Sequence, residues 1–254
     1  MGDKGRAHLC MDYKVKMLMK KPLFQRICHR LHRMRLHPIH VFVFHQVSDM
    51  FEPETMWDCD WTQIDAFKQN ILFLKKQYSF ISLEEMRWHL ANDKLRLKNF
   101  AVLTSDDGWA SLTNIIPWLA EQKIPVTLFL NPLYMDGLHW RSRNTEKLLT
   151  KEEVICLVED FRPFVTVASH GWTHDDCTRM TMGEFVDSVQ KSEEILKRMP
   201  SKVGFYAFAS GRYRMDQVDY LRDNELIPVF VDGMYNDADP WSVHRECIDK
   251  RIPK

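Results

Sequence analysis

The chain has 254 residues, 45% of them hydrophobic and 28% charged, with 35 basic side chains against 35 acidic ones. No apolar run approaches the ~20 residues that a membrane-spanning helix needs, and the charge balance gives no reason to expect nucleic-acid binding. One large α/β core of the barrel type fits this length without a second domain.

The charge is not spread evenly. Residues 13–37 hold eight Lys/Arg and no acid, leaving a mildly acidic body of 27 basic and 35 acidic residues. From Pro22 a helical pattern sets Leu23, Ile27, Leu31 and Met34 on one stripe and Arg26, Arg30 and Arg33 on its flanks. Two readings fit this basic amphipathic helix: a peripheral contact with an anionic membrane surface, or an apolar stripe packed on the domain with its basic side solvated. The division expected is an arm over residues 1–37 and a barrel over 38–254. Cys10, Cys28, Cys59, Cys156, Cys177 and Cys247 show no CxxC spacing, which reads as reduced thiols. Lysines interrupt the apolar residues of the amino terminus, so no secretory signal is expected there and the cytoplasm is the expected compartment.

Along the body, residues 39–44 form a β-branched and aromatic run suited to a buried strand, ending at His45. His45 reads equally as a group pointing into a site and as a hydrogen-bonded structural histidine. An acidic loop over 49–60 leads to a helix expected to open at Thr62, with Phe67, Ile71 and Leu74 at helical spacing. A short strand at 78–81 follows, and Ser82 with Glu85 makes a capping box for a helix striped by Leu83, Met86 and Leu90. Residues 100–103 are a strand, a helix is expected from near Trp109 through Leu119, and residues 124–130 are a further buried strand. Residues 131–147 make a long connection expected to face substrate. Thr150/Glu153 and Thr181/Glu184 are two more capping boxes, each opening a helix. Strands are expected at 164–168, 203–208 and 227–231, with a last one around 247–248.

Two strand ends carry unusual chemistry. The strand at 100–103 runs into Asp106, Asp107 and Gly108; two like charges there mark a turn or a site where a cation or a proton relieves the repulsion. The strand at 164–168 ends in His170 and His174, four apart, which share one face if the backbone turns helically and so reach one metal ion. Sites recurring at strand ends in a βα series point to a barrel whose C-terminal face carries the function.

These residues resemble the polysaccharide deacetylases, metal-dependent carbohydrate esterases with a deformed (β/α)7-type barrel, over roughly residues 39–249. His45-Gln46-Val47 looks like the family's His-x-Val, and Thr104-Ser105-Asp106-Asp107-Gly108 is similar to Thr-Phe-Asp-Asp-Gly. Ser169-His170-Gly171-Trp172-Thr173-His174 resembles Ser-His-x-x-x-His. Tyr206-Ala207-Phe208-Ala209-Ser210-Gly211 resembles Phe-Ala-Tyr-Pro-Tyr-Gly, and Arg245 resembles a late arginine of the shorter members, a support behind the site.

The resemblance implies Asp107, His170 and His174 as ligands of a divalent metal, best zinc, with Asp106 as general base. It implies an oxyanion donor among the backbone N–H groups at Phe208–Ser210. For the general acid, His244 is the nearest candidate and His45 another. Ser105 in place of an aromatic residue, and Ala209-Ser210 in place of Pro-Tyr, are expected to alter the wall of the acetyl pocket. The implied activity is removal of N- or O-acetyl groups from a carbohydrate, a polysaccharide or its precursor. The competing readings are a catalytically weak or inactive deacetylase-like protein for glycan binding or assembly, and a non-haem iron oxygenase built on the same His/His/Asp set.

Overall fold

The computed structural model describes residues 38–49, 61–92, 98–135, 147–232, 236 and 239–248. All belong to one compact unit. The basic arm and its helix, the 49–60 loop beyond Asp49, and most of the 131–147 connection lie outside the described residues.

Seven parallel strands close into a ring: β1 (His40–Phe44), β5 (Phe100–Ser105), β6 (Val126–Leu130), β7 (Val165–Ser169), β8 (Lys202–Ala207), β9 (Ile227–Val231) and β10 (Val243–Cys247). β1 closes the ring by pairing with β10 through Phe42↔Glu246 and with β5 through Phe44↔Ser105. The βα alternation predicts a barrel, and its deformed (β/α)7 form is the one the family resemblance implies. The remaining strands are short: β2 (Gln46–Val47) pairs with β3 (Trp61–Thr62), and β4 (Ser79–Phe80) attaches to the start of β5.

Helices α1 (Ile64–Lys75), α2 (Leu83–Asn92), α3 (Leu112–Glu121), α4 (Lys151–Asp160), α5 (Met182–Leu196) and α6 (Met215–Asp223) flank the ring. The three capping boxes form as read: Ser82/Glu85, Thr150/Glu153 and Thr181/Glu184 exchange reciprocal side-chain and backbone bonds. Two helix starts fall later than the periodicity suggests. Thr62 is held in β3, where its carbonyl accepts the Ser48 N–H, so α1 begins at Ile64. Trp109 is bridged to Leu148, so α3 begins at Leu112. The last strand starts earlier than expected, at Val243, because polar His244, Arg245 and Glu246 hide its alternation.

Period-two alternation sorts side chains between the barrel lumen and the helix layer. Ile39, Val41, Val102, Phe129, Ala168, Val203, Phe205, Ala207, Ile227, Val229 and Val243 form the inner cluster. Leu103, Val126, Leu128 and Val167 pack outward among the helix residues Ile71, Ile115 and Val154. Among the described residues no helix is long and apolar enough to cross a membrane.

Candidate metal centre

At the C-terminal ends of the strands the same alternation brings polar groups to the inner face. Following Ile39 and Val41 it delivers His45; following Val102 it delivers Thr104 and Asp106; following Ala168, His170; and following Val243, Arg245.

Past Ser105 the chain turns through two consecutive left-handed residues, Asp107 (φ 69°) and Gly108 (φ 75°). Asp tolerates that region better than most side chains, while a Cβ on Gly108 would stand 2.6 Å from Leu130 Cδ2. The turn sends the adjacent carboxylates to different places. Asp106 is 3% exposed and takes both guanidinium nitrogens of the fully buried Arg245, at 2.6 and 2.8 Å. Arg245 also donates to Thr104 Oγ1 at 3.2 Å and lies over the Phe129 ring. Burial would raise the Asp106 carboxyl, but the Arg245 charge and hydrogen bonds, with His170 and His45 adding, hold it well below the usual carboxylate range.

Asp107 faces the histidines instead. Its Oδ1 is 3.3 Å from His174 Nε2 and 3.6 Å from His170 Nε2, and one ligand atom from each of Asp107, His170 and His174 lies within 4.8 Å of the others. Ligands bonded at 2.0–2.1 Å in a tetrahedral site stand about 3.4 Å apart, so these spacings fit a divalent ion. The tautomer fits as well. His170 Nδ1 lies 2.9 Å from the Ala207 carbonyl, which requires the proton there and leaves the Nε2 lone pair turned to the cluster. Burial lowers the His170 pKa, keeping the imidazole neutral. The two histidines do not share a helical turn, contrary to the simplest reading of their spacing: residues 170–176 are irregular and Gly171 is left-handed (φ 85°).

Of the other expected site residues, His45 ends β1 beside Asp106, whose N–H donates to the Phe44 carbonyl at 3.2 Å. His244 is not brought to the cluster. As the neighbour of Arg245 it leaves the opposite face of β10, where Nδ1 meets Asp232 Oδ2 at 2.7 Å and the ring packs on Phe230. Ser105 also faces outward, paired with Leu128 of the helix layer, so its replacement of an aromatic residue alters packing behind the site and not the pocket wall. In the turn after β8, the Phe208 N–H goes to Val229 O. Ser210 is left-handed (φ 57°), and its N–H has no acceptor among the described residues.

The polysaccharide deacetylase sequence profile matches residues 94–228. The chain belongs to that family. The match contains Asp106, Asp107, His170 and His174, while His45 and Arg245 lie outside it and are brought to the same end of the barrel by the closure of β1 and β10. Solved structures share the fold. Streptococcus pyogenes deacetylase PplD in complex with acetate aligns with TM-score 0.70 and 21% identity, over 84% of this chain and 93% of its own. IcaB from Ammonifex degensii aligns with TM-score 0.69 and 17% identity over the same shares. A polysaccharide deacetylase from Bacillus cereus gives TM-score 0.66 and 16% identity over 84% of this chain; this chain spans only 65% of its length. No curated protein matches the sequence significantly.

Proposed function

We propose that the protein is a metal-dependent hydrolase that removes acetyl groups from a carbohydrate, a polysaccharide or its precursor. The observation that carries this reading is the division of labour between adjacent carboxylates: Asp107 joins two histidines in a metal-ligand cluster, while Asp106 is withheld from it by Arg245. Family membership and the acetate bound by PplD support acetate as the product.

A divalent ion held by Asp107, His170 and His174 supplies Lewis acidity for water and an acetyl carbonyl, and zinc suits the donor set best. Asp106, kept ionised by Arg245, accepts the proton of the attacking water. The Ser210 N–H donates to the carbonyl oxygen as negative charge develops there. His45, on the same inner face as Asp106, donates the proton to the departing amine or alkoxide; His244 on the outer face is not given this role. An Arg-held base beside a His/His/Asp cluster fits hydrolysis better than an iron oxygenase or a passive glycan-binding module.

Metal-free protein reloaded with Zn2+ should release acetate from a panel of N- and O-acetylated glycans. Asp107→Ala should lose the metal, and Asp106→Asn should keep it while acetate release stops. Full metal binding by D107A, or unchanged turnover by D106N, would overturn the assignment.

For residues 1–37, outside the described residues, the proposal is a separate basic arm that holds a cytoplasmic barrel at an anionic membrane surface. Sedimentation with anionic vesicles should weaken with added salt. Equal sedimentation of full-length and arm-deleted protein would refute it.

A further inference from the structure

The loop that carries both histidines is not helical, yet the N–H groups of residues 170–172 and the carbonyls of residues 170–173 are hydrogen-bonded. The Gly171 N–H donates to Ser169 Oγ at 3.2 Å and the Trp172 N–H to Ser188 Oγ at 3.1 Å. The carbonyls turn the other way, toward the end of β6. Asn131 Nδ2 lies 2.7 Å from the His170 carbonyl, 3.2 Å from that of Gly171 and 3.1 Å from that of Thr173, and the Leu133 N–H takes the Trp172 carbonyl at 3.3 Å. Four consecutive carbonyls, beginning with that of one metal ligand and ending just before the other, thus converge on residues 131–133.

Asn131 is 2% exposed, on the inner face of β6 two residues past Phe129. Three converging carbonyl dipoles repel one another unless a donor stands among them, and the amide's two hydrogens fill that position. The partners also fix its orientation, because a flipped amide would set Oδ1 against three acceptors. Oδ1, turned away, has no hydrogen-bond partner. The polar side-chain contacts of this buried residue are therefore those to the ligand loop, and they do not brace the barrel.

We propose that Asn131 is a positioning residue for the metal centre: its amide clamps residues 170–173 so that His170 and His174 present Nε2 to Asp107 at ligand spacing. The activity part rests on the deacetylase reading, whereas metal affinity tests the clamp directly.

The experiment is a Zn2+ titration of the metal-free full chain against a competing chromophoric chelator, with thermal unfolding measured on the same samples. Asn131→Asp keeps the size and removes the donor; Asn131→Ala removes both. Each should weaken Zn2+ binding by roughly 10- to 100-fold, the usual effect of losing a group that orients metal ligands. Thr127→Val is the control. It breaks the part-buried Thr127–Thr166 hydroxyl pair (2.9 Å) between β6 and β7 without touching the loop, and should leave Zn2+ affinity within about twofold. Wild-type affinity in N131D, an equal loss in T127V, or failure of both Asn131 variants to fold would overturn the proposal. A wild type that binds Zn2+ but releases no acetate defeats the deacetylase reading alone; one that binds no Zn2+ removes the clamp with it.

Discussion

The two halves of the centre sit at the ends of β5 and β7 and are held by opposite means. At β5 the backbone sets the geometry. Two left-handed residues, Asp107 and Gly108, send adjacent carboxylates apart, and any side chain on Gly108 would be strained by its positive φ and would have to displace the Leu130 side chain. At β7 the loop follows no regular backbone pattern, and side chains distant in sequence, Asn131 and Ser188, hold it together with the neighbouring Ser169. The turn that offers a base and one ligand is thus shaped by its own backbone, with Arg245 reaching across from β10 to hold Asp106, while the loop that offers two imidazoles takes its backbone shape from side chains brought to it by the fold.

The largest effect that would break this contrast comes from Arg245. Replacing it by Met leaves the Asp106 carboxylate buried with no compensating charge, and should cost about 3–5 kcal/mol in urea unfolding of the metal-free protein. Asp106→Asn in the same chain removes the stranded charge and should restore part of that loss, because the two changes act on one pair. A cost below ~1 kcal/mol for R245M would mean that the pair is not the anchor of the β5 end.

A smaller effect sharpens the comparison itself. Gly108→Ala forces a Cβ into a left-handed position against Leu130, and should cost about 2 kcal/mol. Ser188→Ala removes one acceptor for the Trp172 N–H and should cost ~1 kcal/mol. If the Ser188 variant is the more destabilised of the two under the same denaturant, the backbone-held and side-chain-held halves have been assigned the wrong way round.

How far this was legible in the sequence follows from the same division. The Asp106-Asp107-Gly108 turn could be read directly, because an apolar strand running into two acids and a glycine is a local pattern, and the capping boxes were readable for the same reason. The spacing of His170 and His174 suggested a helical turn, yet Gly171 is left-handed and the loop's support comes from residues far away in the chain. Asn131, followed by Pro132, read as the start of a connection, and nothing local marks its amide as a clamp. The start of the final strand is hidden in the sequence because a buried arginine on an inner face looks like a surface residue until Asp106 is known to oppose it. Strand parity, once β10 is placed, is what separates His45 from His244.

The last effect, spread gradually over pH, separates the two halves. Burial lowers the His170 pKa from its ordinary 6.5, with the like charge of His174 and that of Arg245 adding and the two carboxylates opposing. The unfolded chain then binds this proton before the folded one, so metal-free protein loses stability as pH falls below 6.5, by at most about 1.4 kcal/mol per pH unit for one group. Asp106 works in a lower window. Its folded pKa lies below the ordinary 3.8, so its contribution is fully present above 3.8 and fades only as pH falls beneath that value. Thermal unfolding in chelator should therefore decline in two steps on acidification. His170→Gln should flatten the first while keeping the second, and R245M should weaken the second while keeping most of the first, which burial still drives. A first step that survives in H170Q would show that the histidine end is not what yields to acid.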